Sequence, residues 1–482
     1  MPLLLWPDGE VVARNDPPSC GVFVTKVSCA VCANGRAFCQ LHWNQYCVMT
    51  SNATSGHVSR SQWVALGVLT LVYTLHTVDR NIVSALVEPI KKEFALSDRA
   101  VGALSGLAHS AAFAVAVIPM GWLVDRVNRA RMLGVLLVAW SSMTALSGFA
   151  TSYTSLLLAR LAVGGAEAGS SPNCLSLISD YFPPRRRASA IGLFYLSTAI
   201  GTGLVFVLGA IVAHRFGWRT MFFVAGLPGL LLAAVILAVF KEPRRGSFDA
   251  VAATGPGEVV GVTAHFLKNR SVLLLTVAII LAAMLMSSLW TWTASFLIRL
   301  HGLDPRQAGL VVAMVAGVGQ AVGSAVAGPL ADRVSLGAPG RLAIVPSVMM
   351  ALAVLAGLGM VFAPHAGLAV GCAVVMGFLL GGWLGPGYGL LLTLTPVQIR
   401  GRVTAVSQLF TNLVGVGLGP LITGELSDLF DGPGSLREAL ACTLSLGVLA
   451  AGMFALAGRQ AGIDLRRKQR IDDTDSRVMV SA

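Results

Sequence analysis

Charged side chains are scarce in this chain of 482 residues: only 12% are Asp, Glu, Lys or Arg, whereas 55% are hydrophobic. Soluble domains carry roughly a quarter charged residues, so this composition indicates an integral membrane protein. The hydrophobic stretches also lack a nucleophile–base set, a metal-binding motif and a phosphate-binding loop. We therefore expect neither an enzyme nor a resident metal or cofactor.

The hydrophobic runs are long enough to cross a bilayer, which takes roughly 20 apolar residues per helix. Their length and their Leu, Val, Ala and Gly content argue against the shorter, alternating strands of a membrane barrel. The sequence predicts an all-α integral membrane protein with about twelve transmembrane helices, near residues 62–87, 98–122, 132–150, 154–178, 188–212, 219–240, 272–297, 306–330, 342–362, 366–392, 402–424 and 437–457.

The net charge of +12 would suggest a nucleic-acid partner in a soluble chain, but its distribution here predicts membrane topology instead. The loops and tail on one side of the predicted spans hold 21 Lys and Arg, and the opposite loops hold eight. Positive charge accumulates on the cytoplasmic side, so we expect both termini in the cytoplasm of a bacterial-type inner membrane and no bound nucleic acid. The basic segment 466–470 is expected to contact anionic lipid headgroups.

A charged loop occurs twice, each time between two hydrophobic runs. The first copy, which we call the signature loop, reads Gly121-Trp-Leu-Val-Asp-Arg-Val-Asn-Arg-Ala-Arg131. The second reads Gly328-Pro-Leu-Ala-Asp-Arg333, and a weaker echo relates residues 185–190 to residues 400–405. Such duplication predicts two pseudo-symmetric six-helix bundles, the architecture of a two-bundle transporter.

The limits of the predicted spans divide the chain into five parts: an N-terminal cytoplasmic extension 1–61, a first bundle 62–240, a central cytoplasmic loop 241–271, a second bundle 272–457 and a basic cytoplasmic tail 458–482. The extension holds five of the eight cysteines together with His42, and these could supply zinc ligands. Their spacing fits no zinc-finger pattern well. We expect a disordered extension, with Met49 as a possible alternative start.

Ionisable residues inside the spans are few and concentrate in the first bundle: Asp79 and Arg80 in the first span, Arg160 and Glu167 in the fourth. Such groups are functional candidates because burial in a bilayer costs several kcal/mol. Arg160 and Glu167 lie seven residues apart, which places them on one helix face. We predict proton coupling at Glu167 and Asp79, with Arg160 and Arg80 as charge partners or ligands of an anionic substrate. The alternative is a static buried ion pair.

Two histidines lie near this cluster, His76 in the first span and His109 in the second. Either could relay protons, or be hydrogen-bonded and inert. The second bundle offers no acidic residue well inside a span. Its candidate substrate-facing side chains are polar or aromatic, although each one taken alone favours packing or interfacial anchoring over substrate contact: Trp290, Trp292, Gln320, Trp383, Tyr388, Gln408 and Asn412.

The signature loop resembles that of the major facilitator superfamily, G-x-L-[AV]-D-R-x-[GN]-R-[RK], and departs from it at Ala130. The resemblance implies a substrate cavity between two rocking bundles. It also implies a conformational latch at the cytoplasmic helix ends, which would affect turnover more than binding, formed by Gly121, Asp125, Arg126, Arg129, Asp332 and Arg333.

Several strings are similar to the Spinster-like branch of that superfamily: Val78-Asp-Arg80, the run 160–169, Ser179-Asp-Tyr-Phe-Pro-Pro184 and Phe216-Gly-Trp-Arg219. Eukaryotic members move sphingosine phosphates and lysophospholipids, and bacterial members are thought to be proton-coupled. The resemblance therefore implies a proton-coupled carrier of a lipid-like, amphipathic organic anion, expected here as a monomer. A sugar-acid proton symporter and a drug/proton antiporter remain alternatives. Against the antiporter, Gly201-Thr-Gly203 in the fifth span is not followed by proline.

Overall fold

A computed structural model describes residues 4–5, 11–12, 59–124, 126–245, 265–266, 269–336, 338–395 and 399–481. Residues 1–57 and 58–482 form two separate units. In the first unit, Leu4–Leu5 pairs in antiparallel register with Val11–Val12. The rest of the predicted extension, including its five cysteines and His42, lies outside the described residues, as does most of the predicted central loop.

The second unit confirms the all-α membrane fold, and the spans fall within a few residues of their predicted limits except the last, whose helix is much longer than predicted. Those of the first bundle are Arg60–Ala85, Asp98–Val124, Arg129–Ser147, the pair Tyr153–Glu167 and Ser170–Tyr181, Pro184–Leu208 with its continuation to Phe216, and Trp218–Val239. A short helix, Val87–Phe94, follows the first span.

The second bundle repeats this order of long helices. Its spans are Arg270–His301, Pro305–Val334, Pro339–Val361, the pair Ala366–Leu380 and Leu384–Leu394, Arg400–Phe410 with its continuation to Leu429, and Ser435–Ser481. The last span therefore runs as one helix into the predicted tail.

Among the described residues, eleven helices are long and apolar enough to cross a membrane. The fourth predicted span falls short of this measure because it is broken: Tyr153–Glu167 ends one turn before Ser170–Tyr181 begins. Ala168 and Gly169 form the break, directly after Glu167. The interruption therefore lies beside Glu167, the more deeply buried of the two carboxylates in this span.

Polar residues at helix starts explain several span boundaries. Ser97, Asn128, Ser152, Asn269 and Asp304 each stand at an N-cap, and each side-chain oxygen accepts a hydrogen bond from a backbone N–H of the first turn. These bonds satisfy donors that the helix itself leaves unpaired.

Four spans contain a π-helical segment: Ala103–Leu107 in the second, Gly209–Ala213 in the fifth, Ala313–Gly319 in the eighth and Thr411–Val416 in the eleventh. These spans occupy equivalent places in the internal repeat, each being the second helix of a group of three. The shared irregularity supports the duplication inferred from the loops, because π segments are rare and concentrate at functional positions.

The same four spans make the close backbone contacts between the bundles, the second against the eleventh and the fifth against the eighth. A Cβ atom on Gly106 would lie 2.6 Å from the carbonyl oxygen of Gly417, and Gly317 approaches Gly203 as closely. Glycine thus permits backbone-to-backbone packing across the interface. We call the face with the signature loop the loop side and the opposite face the far side; these contacts lie from the midplane toward the far side.

The Phe216–Arg219 motif ties the far-side end of the first bundle together. Gly217 has a φ of +83° and turns the chain between the fifth and sixth spans. The next two side chains both reach Glu93: Trp218 Nε1 donates to it at 2.6 Å and Arg219 Nη1 at 2.8 Å. The hydrogen bond from Arg219 holds the pKa of the Glu93 carboxyl below its ordinary value.

We expect Gly164→Ala to destabilise the protein and Gly165→Ala to leave it intact. A Cβ on Gly164 would lie 3.0 Å from the Cα of His109, so the second and fourth spans would have to separate, whereas Gly165 has open space. Overpacking costs about 1–3 kcal/mol, and both substitutions gain the same helix propensity. Thermal unfolding in detergent should therefore show a melting temperature several degrees lower for Gly164→Ala. Equal melting temperatures would contradict the close packing at Gly164.

Candidate functional site

The charged residues singled out from the sequence converge in the interior of the first bundle. Asp79, Arg160 and Glu167 are each at most 1% exposed, and Arg80 is partly buried. Desolvation makes such charges expensive unless neighbouring groups compensate for the lost water. The arrangement of these four side chains therefore needs a chemical reason.

Arg160 reaches Asp79 through the backbone rather than through its carboxylate. One guanidinium nitrogen, Nη2, donates to the carbonyl oxygen of Asp79 at 2.6 Å. The Nε and Nη1 atoms of Arg160 and both carboxylate oxygens of Asp79 have no hydrogen-bond partner among the described residues. The expected proximity of the two residues is observed, but a direct ion pair is not among the contacts, so donors and acceptors remain available for an anion or a proton.

Glu167 lies between two histidines that come from different spans. Its Oε2 atom is 3.2 Å from Nδ1 of His76 and 3.5 Å from Nε2 of His109. Neither contact has hydrogen-bond alignment, so both carboxylate oxygens are free of hydrogen bonds within the described protein. Ser170, the first residue after the helix break, places its hydroxyl 3.3 Å from the same nitrogen of His76.

Arg80 links the first bundle to the second at mid-membrane depth. Its guanidinium donates to the side-chain oxygen of Asn412, which lies in the π segment of the eleventh span. The amide nitrogen of Asn412 in turn donates to the backbone carbonyl of Gln408 at 2.9 Å. Arg80 and Asn412, both expected to face a substrate, are thus hydrogen-bonded to each other across the bundle interface.

The other candidates of the second bundle divide into packing and accessible residues. Trp292 is fully buried and donates to the carbonyl of Pro420 at 3.0 Å, and Trp383 is 2% exposed. Trp290 and Tyr388 are partly exposed, and Gln408 is exposed. Gln320 is buried, with its amide nitrogen 3.6 Å from the sulfur of Met286.

In the signature loop, Arg129 is the best-connected residue. It is buried and binds Asp180 at 2.5 Å and Glu242 at 2.7 Å, which joins the start of the third span to the ends of the fourth and sixth. These partners belong to the same bundle as Arg129. Its predicted role in a latch between bundles stays a prediction.

The remaining predicted latch residues are less constrained where they are described. Arg126 is exposed and stacks 3.7 Å above the ring of Trp122, and Gly121 is partly exposed. Asp332 and Arg333 are exposed at the end of the eighth span. Asp125 lies outside the described residues.

Sequence reasoning missed an ionic network at the far side, which we call the far-side network: Glu88, Lys91, Asp98, Arg299 and Asp428. Arg299 of the second bundle binds Asp98 and Glu88 of the first, each at 2.7 Å. Lys91 also contacts Asp98. Asp428 accepts from the backbone N–H groups of residues 98 and 99 at 2.9 and 2.8 Å, so it caps the second span from the opposite bundle.

Within the part of the chain that the structure describes, no group of three or more His, Cys, Asp or Glu is placed to hold a metal ion. The cysteine-rich segment of the predicted extension lies outside the described residues.

The family model for the Major Facilitator Superfamily matches residues 69–420. The chain belongs to the major facilitator superfamily. It is a multi-pass membrane transporter by family and by fold. An MFS-type efflux pump of Mycolicibacterium smegmatis is 30% identical over 77% of this chain and 86% of its own length.

Spinster-family proteins are among the similar proteins, as the sequence motifs suggested. The sphingosine-1-phosphate transporter SPNS2 of Danio rerio is 30% identical over 50% of this chain, and the match spans 48% of the relative's length. The crystal structure of a bacterial homologue of the human lysosomal transporter Spinster, inward-facing and unoccupied, superposes with a TM-score of 0.75 at 26% identity. It covers 84% of this chain and 98% of the other. The Spinster-like resemblance is confirmed.

We expect Arg299→Gln to favour opening of the far side, because Asp98, only 3% exposed, would lose its strongest partner across the interface. Losing about 1.4 kcal/mol corresponds to a tenfold change in the conformational equilibrium. Spin labels at exposed Lys92 and Pro433, in a background without other reactive cysteines, would report a larger population of long distances. Arg306→Gln, which removes an exposed arginine on the same side, is the control. Identical distance distributions in both variants would show that the far-side network does not hold the bundles together.

Proposed function

We propose that this protein is a proton-coupled secondary transporter of an amphipathic, lipid-like organic anion, of the lysophospholipid or sphingoid-phosphate type, working by alternating access. The observation that carries this proposal is the buried cluster of Asp79, Arg160 and Glu167, with carboxylate and guanidinium atoms that lack hydrogen-bond partners among the described residues. A static structural ion pair would satisfy those atoms, whereas a carrier must leave them free to bind and release.

The membrane orientation follows from charge. The loop side carries the larger number of Lys and Arg, so we assign it to the cytoplasm, together with both termini, in an inner membrane of bacterial type. The bundles meet from the midplane to the far side, and the described conformation is therefore inward-facing. Similarity to an inward-facing Spinster homologue supports this assignment.

Proton coupling requires a carboxyl group whose environment changes during the transport cycle. Glu167 directly precedes a helix break, contacts two imidazoles and lies on the same helix as Arg160. Movement of one bundle against the other alters both the access of water and the distance to these charges, and each change alters the proton affinity of the carboxyl. Asp79, buried one helix away, is the second coupling residue.

The anionic head group would bind where the free arginine donors are. Two nitrogen atoms of Arg160 have no hydrogen-bond partner within the described part of the chain, and Arg80 contacts Asn412 at the bundle interface. A guanidinium suits phosphate or carboxylate because it donates two parallel hydrogen bonds. The apolar body would lie toward the partly exposed Trp290 and Tyr388 of the second bundle.

Drug extrusion is the second candidate, because an MFS-type efflux pump is 30% identical over 77% of this chain. It would use the same carboxylates with a cationic or neutral substrate. The two candidates differ in the charge of the cargo, so a substrate panel separates them.

We expect Glu167→Gln to reduce proton-driven transport at least a hundredfold while leaving folding intact. Purified protein in proteoliposomes that enclose a pH-sensitive dye would be challenged with lysophosphatidic acid, sphingosine phosphate, glucuronate and ethidium. A lipid phosphate should evoke proton flux in the wild-type protein and in Glu438→Gln, a control at an exposed glutamate. Flux with glucuronate alone would favour a sugar-acid symporter, and flux with ethidium alone an efflux pump. Undiminished flux in Glu167→Gln would refute the coupling role.

We expect Asn412→Asp to raise the apparent KM for the transported anion about tenfold, equivalent to 1.4 kcal/mol. The new carboxylate would form an ion pair with Arg80 and compete with the substrate for it. Asn412→Ser removes the amide without adding charge, so its KM should stay near or below the wild-type value. Transport rates measured against substrate concentration would decide, and a similar rise in KM in both variants would argue against competition for Arg80.

A further inference from the structure

We propose that His76, Glu167 and His109 bind the coupling proton as one unit, in which the proton is shared between the carboxylate and the two imidazoles. This inference rests on the proposed function and deepens it by adding two histidines to the coupling site. We call the three residues the Glu167 cluster.

The geometry of the Glu167 cluster is unusual because one ring nitrogen of each histidine lies close to the same carboxylate oxygen. Oε2 of Glu167 is 3.2 Å from His76 and 3.5 Å from His109. Glu167 is 0% exposed and each histidine is 2% exposed, so bulk water does not compete for the proton. Small adjustments of either ring would complete a hydrogen bond to this oxygen, within the 2.7–3.2 Å that such bonds require.

Packing holds the two imidazoles where they are. The ring of His76 stacks on Tyr73 at 4.8 Å with an interplanar angle of 18°. His109 lies beside Phe113, and its backbone packs directly on Gly164 of the fourth span. The histidines thus come from two different spans and are fixed against the span that carries Glu167.

The chemistry of these residue types suits a shared proton. Imidazole is the side chain whose ordinary titration lies between pH 5 and 8. A proton can move from Nε2 of an imidazolium His109 to Oε2 of the Glu167 carboxylate, which leaves a neutral imidazole and a carboxylic acid; one N–H bond breaks and one O–H bond forms. His76 offers the same exchange through Nδ1. We therefore expect the three side chains to share one proton rather than to bind protons independently.

The surrounding charges set the balance between these states. Those that face the Glu167 cluster are Tyr73, Asp79 and Arg80 of the first span, Arg160 of the fourth and, next to Tyr73, Tyr195 of the fifth. The second span contributes His109 itself. An anion that binds one of these two arginines would change the charge around the Glu167 cluster, which provides a direct link between anion binding and proton uptake.

The test is a pH titration of the Glu167 carboxyl by infrared difference spectroscopy, on the full-length protein in lipid nanodiscs. The carboxylic-acid carbonyl band is assigned by its loss in Glu167→Gln. We expect a broad transition in the wild-type protein. In His109→Gln, and likewise in His76→Gln, the midpoint should rise by one pH unit or more, a tenfold change in proton affinity, because an imidazolium that stabilises the carboxylate is removed.

His214→Gln, a substitution of an exposed histidine at the end of the fifth span, is the matched control and should reproduce the wild-type midpoint. Midpoints in His76→Gln and His109→Gln that also coincide with the wild type would overturn the proposal. If neither variant folds, ¹⁵N-histidine NMR of the wild-type protein and Glu167→Gln gives the reciprocal measurement. Two imidazole titrations unchanged by loss of Glu167 would likewise overturn it, and a shift in either would support it.

This titration needs no substrate and no gradient, so it separates the two proposals. Shifted midpoints without proton-driven flux in proteoliposomes would support the shared proton of the Glu167 cluster and refute the proposed coupling. Proton-driven flux with unshifted midpoints would support the proposed coupling and refute the participation of the two histidines.

Discussion

Charge buried in an apolar bundle is the constraint on which the rest of this structure depends. Within the first bundle, Arg160, Asp79 and Glu167 have been placed where water cannot compensate for them, and the surrounding backbone adapts accordingly. A peptide carbonyl of the first span accepts from Arg160, and the fourth span is broken directly after Glu167. Regular helices with apolar side chains at these positions would be more stable. The departure from regularity is therefore best explained by ligand and proton chemistry.

The bundle interface must also allow two rigid bodies to move without exposing their backbone to lipid. Its four π segments and its glycine contacts occur in equivalent spans of both bundles. Close backbone packing leaves few side chains to be rearranged when one bundle rocks on the other. At the far side, the bundles are joined by the ion pairs of Arg299, and these polar contacts can break and re-form. Rocking about the midplane can then break ionic contacts on one face while the apolar contacts near the pivot persist.

How much of this the sequence predicts depends on the kind of feature. Span positions and the duplicated architecture follow from hydrophobic length and from the repeated loop, and Glu167 stands out because ionisable residues are rare inside spans. The contacts do not follow: nothing in the sequence indicates that Arg160 binds a carbonyl or that two histidines converge on one oxygen. The sequence does not single out Asp98 and Arg299, because charged residues are common at the ends of spans. Only the packing of the two bundles brings these side chains together. Their position at the ends of paired spans in a duplicated protein is the signal that could have been used.

The second span connects these two regions. It begins at Asp98 in the far-side network and carries His109 in the Glu167 cluster, with the π segment Ala103–Leu107 between them. Eleven residues of helix correspond to about 16 Å, so displacement of Asp98 on opening is transmitted along one element to the histidine. Coupling requires such an element with two arrangements that both sites bias. In the proposed cycle, protonation at Glu167 and the ion pairs of Arg299 act on the same helix, and a charge change at one end alters the balance of conformations that the other end stabilises.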